Sequence, residues 1–186
     1  INGLTDEFHP TQALADILTL KETFGKLKGL KLVFCGDGRN NVARSTMIIC
    51  SKLGIDFGIF SPKELFPDQE ILEICKPFAE KSGAKIEISD DISIVKGANA
   101  VYTDVWISMG EEALKEERTK LLTPFQVNQN LMEKTENPDA IFLHCLPAHR
   151  GEEVTDEVME SPQSWIFQEA ENRLHAQKAV MYLLMK

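Results

Sequence analysis

The sequence predicts an α/β fold: a doubly wound parallel sheet in three α/β/α layers, Rossmann-like and built as a single domain over residues 1–186. Short apolar runs rich in β-branched and aromatic residues alternate with stretches of helical periodicity, which is typical of a parallel sheet covered on both faces. No repeat, low-complexity tract or Pro/Gly-rich linker interrupts this alternation. A chain of 186 residues is also long enough to bury a substantial core.

The elements follow one another along the chain in a simple order. Six short apolar runs are interpreted as buried strands: Leu30–Cys35, Phe57–Phe60, Lys85–Ile88, Ala100–Thr103, Ala140–His144 and Ser164–Phe167. Seven stretches have helical periodicity: Thr11–Phe24, Asn41–Leu53, Asp68–Lys81, Glu111–Lys120, Pro124–Lys134, Glu152–Glu160 and Ala170–Met185.

Composition excludes several classes of protein. Hydrophobic residues make up 43% of the chain and charged residues 26%, which argues against intrinsic disorder. The net charge of −9 argues against a nucleic-acid partner, because such binding depends largely on Lys and Arg at phosphates. Charged residues interrupt the apolar runs well before the ~20 residues that a membrane span requires.

The cysteines and the first residues bear on location. The four cysteines lie in apolar segments without a CxxC pair, a pattern typical of reduced thiols in the cytoplasm: Cys35, Cys50, Cys75 and Cys145. The chain opens on Ile1–Leu4, with neither an initiator methionine nor the order of a signal peptide. We therefore expect a cytoplasmic protein, and a chain that is part of a longer one.

Three polar loops follow predicted strands, at the edge where open parallel sheets bind ligands. They are residues 36–41 (GDGRNN), 104–110 (DVWISMG) and 144–147 (HCLP). Because all three leave the same edge of the sheet, their side chains can converge on one small ligand. A binding crevice at this edge is the resulting hypothesis.

Each loop also has a plainer interpretation. The GDGRNN loop lacks the full G-x-G-x-x-G spacing, which makes nicotinamide binding a weak prediction. Its asparagines suit a small carboxylate or amide ligand, or simply cap a helix. Asp104 ends a strand as a fixed anion, or serves as a turn residue. Ser108–Gly110 offers a hydroxyl and backbone N–H groups that can bind an amino acid.

The HCLPAHR segment, residues 144–150, places two imidazoles, a thiol and a guanidinium at a strand end. Cys145 beside His144 is a candidate thiolate nucleophile. It is a poor candidate metal ligand, since no second Cys or paired His follows at ligand spacing, and no metal site is predicted. The bond between Leu146 and Pro147 is a candidate cis peptide.

Two helix starts carry further polar residues. His9-Pro10-Thr11-Gln12 opens the first helix, where free N–H groups favour an anion, although an ordinary helix start is the alternative. Arg173 lies in the early turns of the last helix, where it can bind a phosphate or carboxylate. A surface ion pair between Arg173 and Glu169 is the alternative.

Taken in this order, HPTQ, GDGRNN, DVWISMG, HCLPA and AENR resemble the ornithine carbamoyltransferases, within the aspartate/ornithine family. The resemblance covers nearly the whole chain and corresponds to the C-terminal, ornithine-binding domain. It implies transfer of a carbamoyl group from carbamoyl phosphate to the side-chain amine of L-ornithine, giving citrulline and phosphate. It implies neither a metal nor an organic cofactor, and a homotrimer, or a multiple of trimers, for the whole enzyme.

The resemblance also assigns roles to individual residues. The catalytic residues it implies are His9, Cys145 and Arg173. Those implied for ornithine are Asn41, Asp104, Ser108, Met109, Cys145 and Leu146, with Asp104 facing the α-ammonium. Those implied for carbamoyl phosphate are His9, Pro10, Thr11, Gln12, Cys145, Leu146 and Arg173. The related aspartate enzymes have HPLP where this chain has HCLP, so Cys145 favours a diamine nucleophile.

One family feature is absent from these residues. Family members carry a Ser-x-Arg-Thr phosphate loop in an N-terminal domain, and no such motif occurs here. We therefore expect the isolated chain to be inactive.

Open alternatives are a stand-alone amino-acid-binding module, a nicotinamide-dependent oxidoreductase domain, and a transcarbamylase acting on putrescine or an acylated ornithine. Biosynthetic and degradative roles are also both open.

The chemistry of the reaction adds three expectations. The amine must be neutral to attack a carbonyl, and exclusion of water favours that form. We expect the 108–110 loop to close over ornithine, with Gly110 as its hinge. His9 and Arg173 are candidate donors to the oxyanion. Cys145 is expected to orient the amine without a covalent intermediate, and either it or the leaving phosphate accepts the amine's proton.

Overall fold

The computed structural model describes residues 1–107 and 115–185. Five parallel strands form one sheet in the order β3-β2-β1-β4-β5. The strands are β1 Lys31–Cys35, β2 Asp56–Phe60, β3 Ile86–Ser89, β4 Ala100–Thr103 and β5 Ile141–His144. The predicted α/β fold with a parallel sheet is confirmed.

Seven α-helices lie within the described residues: α1 Pro10–Phe24, α2 Asn41–Leu53, α3 Gln69–Ser82, α4 Lys115–Leu122, α5 Gln129–Lys134, α6 Asp156–Met159 and α7 Ile166–Leu184. Three short 3₁₀ helices join them: Lys63–Leu65, Ile92–Val95 and Thr123–Phe125. None of the helices described is both long enough and apolar enough to cross a membrane.

The two faces of the sheet bury separate cores. Along β1, Leu32 and Phe34 pack with α1, α2 and α3, whereas Val33 and Cys35 pack on the other face with α5 and α6. All four side chains are fully or almost fully buried. This two-sided burial explains why β1 is a continuous apolar run from Leu32 to Cys35 rather than an alternating one.

Helix ends are set by local signals in the sequence. Pro10 occupies the first turn of α1, where a missing N–H has no cost. The side chain of Asn40 caps α2, and that of Asp68 caps α3. The helices α1 to α3 each end at a glycine with positive φ, the left-handed cap that glycine adopts without strain.

The predicted sixth strand, Ser164–Phe167, is wrong. Ser164 forms only an isolated parallel bridge with Phe142, and the Trp165 N–H donates to the Phe142 carbonyl at 3.0 Å. The chain then turns into α7 at Ile166, so the last helix begins four residues earlier than the predicted Ala170. Phe167 is 75% exposed, as a residue on the outer face of a helix can be but a buried strand residue cannot.

Two predicted helices are shorter than the sequence indicated. The stretch Pro124–Lys134 divides into a 3₁₀ turn and α5, because Val127 between them forms a bridge with Val154. The predicted helix Glu152–Glu160 is reduced to α6, since the residues before it take part in that bridge.

Candidate functional site

The candidate site lies where β1, β4 and β5 end, as expected for a parallel sheet. Asp104 follows β4, Cys145 follows β5, and Asn40 lies in the loop after β1. The Cys145 thiol donates to Asp104 Oδ1 at 3.0 Å, and Asn40 Nδ2 donates to Asp104 Oδ2 at 2.9 Å. The predicted meeting of Asp104 and Cys145 is therefore present.

Asp104 is a preorganised carboxylate. Besides Cys145 and Asn40, the backbone N–H of Val105 donates to its Oδ1 at 2.8 Å. Three donors from three segments fix both oxygens in place without satisfying all their lone pairs. The side chain is partly buried, so it can offer a fixed negative charge to a cationic group.

Cys145 is held as a protonated thiol. Burial raises its pKa well above the usual value, and the adjacent Asp104 carboxylate raises it further. The thiolate is the nucleophilic form of cysteine, and this site disfavours it. The arrangement therefore suits a hydrogen-bond donor that orients its neighbours, and it argues against the candidate thiolate nucleophile.

The loop after β5 is held by its own hydrogen bonds. His144 Nδ1 accepts the Leu146 N–H at 2.9 Å, so the ring proton lies on Nε2, which faces Glu153 Oε1 at 3.2 Å. Leu146 has a φ of 57°, in the left-handed region that non-glycine residues rarely adopt. The bond from Leu146 to Pro147 is cis, as the sequence suggested.

A second group of polar side chains joins the start of α1 to α7. Arg173 Nη1 donates to Gln12 Oε1 at 2.7 Å and faces His9 Nε2 at 3.3 Å. Burial lowers the pKa of His9, and the Arg173 charge lowers it further, so the imidazole is neutral with Nε2 as acceptor. The expected oxyanion role therefore falls to the remaining N–H groups of Arg173 more readily than to His9 Nε2.

Glu169 joins this group to the loop after β5. Its Oε2 accepts the backbone N–H of His144 at 2.9 Å, and its Oε1 accepts Gln12 Nε2 at 3.0 Å. Glu169 is fully buried, so the alternative of a surface ion pair with Arg173 is wrong. Since Cys145 follows His144 directly, one hydrogen-bonded network extends from Arg173 to Asp104.

The remaining predicted residues fall into three groups. Asn41 donates its side-chain amide to the Thr5 carbonyl at 2.9 Å, while its neighbour Asn40 contacts Asp104. Pro10 and Thr11 lie in the first turn of α1, where Thr11 donates to the Gly3 carbonyl at 2.8 Å. Ser108, Met109 and the proposed hinge Gly110 lie outside the described residues, as does the start of the predicted helix 111–120.

Sequence reasoning missed Asn40, and it also missed Asp16. Either asparagine of the GDGRNN loop could cap a helix, and only the backbone decides which does. Asp16 is a fully buried charged residue on α1 among apolar neighbours. An acidic residue on the apolar side of an amphipathic helix was the signal that could have identified it.

Metal ligation was not predicted at this site. Asp104, His144 and Cys145 offer ligand atoms within 4.8 Å of one another, which is a spacing that a metal ion could use. Both ring nitrogens of His144 already have partners, Leu146 and Glu153. A metal bound through His144 would therefore have to displace one of the hydrogen bonds that hold the loop.

Comparison with known proteins shows which family the chain resembles. Residues 28–184 match the model "Aspartate/ornithine carbamoyltransferase, Asp/Orn binding domain". The chain is 56% identical over 181 residues to ornithine carbamoyltransferase of Pseudothermotoga lettingae, covering 97% of this chain and 58% of that protein. It is 57% identical over 186 residues to that of Hyperthermus butylicus, covering 100% and 59%.

A solved structure agrees in fold. Ornithine carbamoyltransferase from Pyrococcus furiosus superposes with a TM-score of 0.92 at 52% identity, covering 97% of this chain and 57% of that one. The chain thus spans somewhat less than three fifths of the length of these relatives. With its matching sheet, its Asp104–Cys145 contact and these similarities, the chain belongs to the aspartate/ornithine carbamoyltransferase family.

Proposed function

We propose that residues 1–186 are the ornithine-binding domain of an ornithine carbamoyltransferase. That enzyme transfers the carbamoyl group of carbamoyl phosphate to the side-chain amine of L-ornithine, giving citrulline and phosphate. The observation that carries the proposal is the fixed Asp104 carboxylate, bonded by Cys145 and Asn40 at the sheet edge. Relatives with this name are identical to this chain at more than half of the aligned positions, which supports ornithine as the amine.

In this proposal the two ends of ornithine are bound by different groups. Asp104 is the fixed anion that receives the α-ammonium. Cys145, bonded to Asp104 and partly buried, lies beside the path of the side-chain amine. Ser108 and Met109 serve the α-carboxylate in this proposal, as the family resemblance implies, together with Asn41.

The carbamoyl end belongs to the start of α1 and to α7. Gln12 Oε1 faces Arg173 Nη1 and keeps a second lone pair that can accept an N–H of the carbamoyl group. Arg173 presents its other N–H groups to the carbonyl oxygen, where negative charge develops as the amine attacks. Within this proposal His9, Pro10, Thr11 and Leu146 complete the carbamoyl phosphate subsite.

The proton balance of the reaction follows from the state of Cys145. A neutral amine attacks the carbonyl carbon, a C–N bond forms, and the C–O bond to phosphate breaks. A thiol that is already protonated cannot accept the amine's proton. The departing phosphate is the acceptor in this mechanism, and Cys145 orients the amine.

The proposal extends to the whole protein. Carbamoyl phosphate binding is completed by a second domain, so the isolated chain is inactive. The family resemblance supports a homotrimer or a multiple of trimers. Four free cysteines support a cytoplasmic location, since reduced thiols persist there.

Two measurements test the proposal. Calorimetry on the chain alone should detect L-ornithine binding, lost in Asp104→Asn and retained in Asp139→Asn, whose carboxylate is exposed and distant from the site. Joined to the carbamoyl-phosphate-binding half of a relative, the chain should form citrulline, and Arg173→Ala should lower kcat about 100-fold or more. Faster turnover with putrescine, acetylornithine or aspartate would refute ornithine as the substrate, and binding without turnover would favour a stand-alone module.

A further inference from the structure

Two carboxyl groups are buried against each other beneath the site. Asp16 of α1 and Glu169 of α7 are both fully buried, although they lie 153 positions apart in the sequence. Both accept from the same amide nitrogen: Gln12 Nε2 donates to Asp16 Oδ1 at 2.8 Å and to Glu169 Oε1 at 3.0 Å, so the two carboxyl groups lie close together. Two ionised carboxylates cannot hydrogen-bond to each other, because each offers only acceptors.

The surrounding donors leave one oxygen of the pair without a partner. Glu169 Oε1 and Oε2 accept N–H groups of Gln12 and His144. Asp16 Oδ1 accepts Gln12 Nε2 at 2.8 Å and the Tyr102 hydroxyl at 3.3 Å. Asp16 Oδ2 is buried and has no donor within the described residues. A proton held between Asp16 Oδ2 and Glu169 satisfies this remaining oxygen.

Electrostatics also favour one proton on the pair. Burial raises the pKa of both groups, and the Asp16 charge raises that of Glu169 further. The titratable and charged groups that face the pair come from every element around it. They are Cys50 on α2, Tyr102 on β4, Cys145 after β5 and Arg173 on α7.

We propose that Asp16 and Glu169 hold one proton between them at neutral pH and act as positioning residues for Gln12, Arg173 and the peptide before Cys145. The shared proton stands on the geometry alone. The positioning role in carbamoyl transfer rests on the proposed function.

The pair orients Gln12 by accepting both of its amide N–H groups. The Gln12 oxygen is thereby turned toward Arg173, and the guanidinium is held at the substrate edge. The same pair holds the His144 N–H and so fixes the chain on which Cys145 lies. One proton leaves the pair with a single negative charge, which balances Arg173. A second negative charge would oppose the binding of an anionic substrate.

Infrared spectroscopy of the 186-residue chain tests the shared proton. At pH 7 the wild type should show the C=O band of a protonated carboxylic acid, although ordinary carboxyl groups are ionised there. Asp16→Asn should abolish the band, because the amide N–H replaces the acid as donor to Glu169. The control Glu171→Gln, which changes an exposed carboxyl, should keep the band. Absence of the band in wild type, or its survival in Asp16→Asn, would overturn the shared proton.

Kinetics of the chain joined to a relative's carbamoyl-phosphate-binding half test the positioning role. Asp16→Asn preserves the donor and the acceptor, so kcat should stay within about tenfold of wild type. Asp16→Ala should lower kcat at least 100-fold more than Asp16→Asn does. Equal kcat values for the two variants would overturn the positioning role. If the wild type itself makes no citrulline, the proposed function fails, while the infrared result still decides the shared proton.

Discussion

The chemical state of Cys145 is set by its neighbour. Asp104 accepts the thiol hydrogen bond at 3.0 Å and adds a negative charge that opposes ionisation. Cysteine reactivity follows the thiolate fraction, so the thiol at the candidate site is chemically quiet. A free thiol at an active site is thereby protected against alkylation and oxidation.

Removing the charge on Asp104 should therefore activate Cys145. In Asp104→Asn the pKa of Cys145 should fall, and each unit of that fall raises the thiolate fraction about tenfold. Iodoacetamide at pH 8 should then alkylate Cys145 at least about tenfold faster than in wild type, as measured by peptide mass spectrometry.

The chain supplies internal controls for that experiment. Cys35, Cys50 and Cys75 are 0% exposed and should stay unmodified in both proteins while the fold persists. The exposed Asp139→Asn variant should react like wild type. An unchanged rate at Cys145 in Asp104→Asn would show that burial alone determines its reactivity.

Gly38 in the GDGRNN loop is required for close packing. A Cβ there would lie 2.8 Å from the Leu65 carbonyl oxygen and 2.9 Å from the side chains of Ile59 and Pro67. Gly38→Ala should lower the free energy of unfolding by about 1–3 kcal/mol through overpacking, as measured by urea denaturation. Gly3→Ala, where nothing lies within 4 Å, should change it by less than about 0.5 kcal/mol.

At the scale of single residues, sequence reasoning located the site but did not distinguish Asn40 from its neighbour. The strand-end positions of Asp104 and Cys145 follow from the sheet alone, and they were predicted correctly. Asn40 and Asn41 have the same chemistry, and the turn of the backbone before α2 decides which one faces Asp104. The family resemblance named Asn41, and its contact with ornithine stays a prediction.

At the scale of helices and strands, Asn40 has two functions. Its Oδ1 accepts the Val42 N–H at 2.7 Å and caps α2, while its Nδ2 holds Asp104. One side chain thus ties the start of a helix to the site. A variant can separate these functions, because aspartate also caps helices but cannot donate.

Asn40→Asp should keep the cap and disturb the site. We expect Asn40→Ala to lower the free energy of unfolding by about 1 kcal/mol, as should Asn128→Ala at the cap of α5, measured by chemical denaturation. In Asn40→Asp the loss of unfolding free energy should come instead from repulsion between the new carboxylate and Asp104. This loss should therefore become smaller as salt is added. A salt-independent loss would count against the Asn40–Asp104 contact.

Helices and strands were predictable where the hydrophobic periodicity was compatible with only one type of secondary structure. The strands β1, β2, β4 and β5 were found because each is a largely continuous apolar run buried on both faces, whereas the edge strand β3 alternates Ile86 and Ile88 with the exposed Glu87. Ser164–Phe167 has similar composition, yet only Ser164 pairs with β5 before the helix starts. A tertiary contact also determines the secondary structure at Val127. Its bridge with Val154 interrupts a stretch whose periodicity predicts a single helix.

At the scale of the whole molecule, a buried polar network joins the two ends of the chain. The helices α1 and α7 meet through Gln12, Asp16 and Glu169, with Asn172 donating to Thr19 at 3.0 Å. Such contacts between distant residues leave no local pattern in the sequence. Buried polar groups are costly unless they are satisfied, so this network specifies how the two helices pack.

The shared proton should make the stability of the whole fold depend on pH. Burial raises the pKa of Asp16 from 3.8 to about 7, so between these values the folded chain binds more protons than the unfolded chain. The associated stabilisation is complete below pH 4 and is lost as the pH rises through 7. The slope reaches about 1.4 kcal/mol per pH unit for one proton.

Asp16→Asn removes this titration and should flatten the profile. The free energy of unfolding, measured by urea denaturation from pH 4.5 to 7.5, should fall more steeply with pH in wild type than in the variant. His9, with its lowered pKa, contributes the opposite slope below pH 6.5, but it does so in both proteins and cancels in the difference. Because the amide in the variant resembles the protonated acid, accepting from Gln12 and donating to Glu169, the two curves should approach each other at low pH. Parallel curves across the whole range would mean that Asp16 is ionised in the folded chain, and the polar network would then have to tolerate two adjacent negative charges.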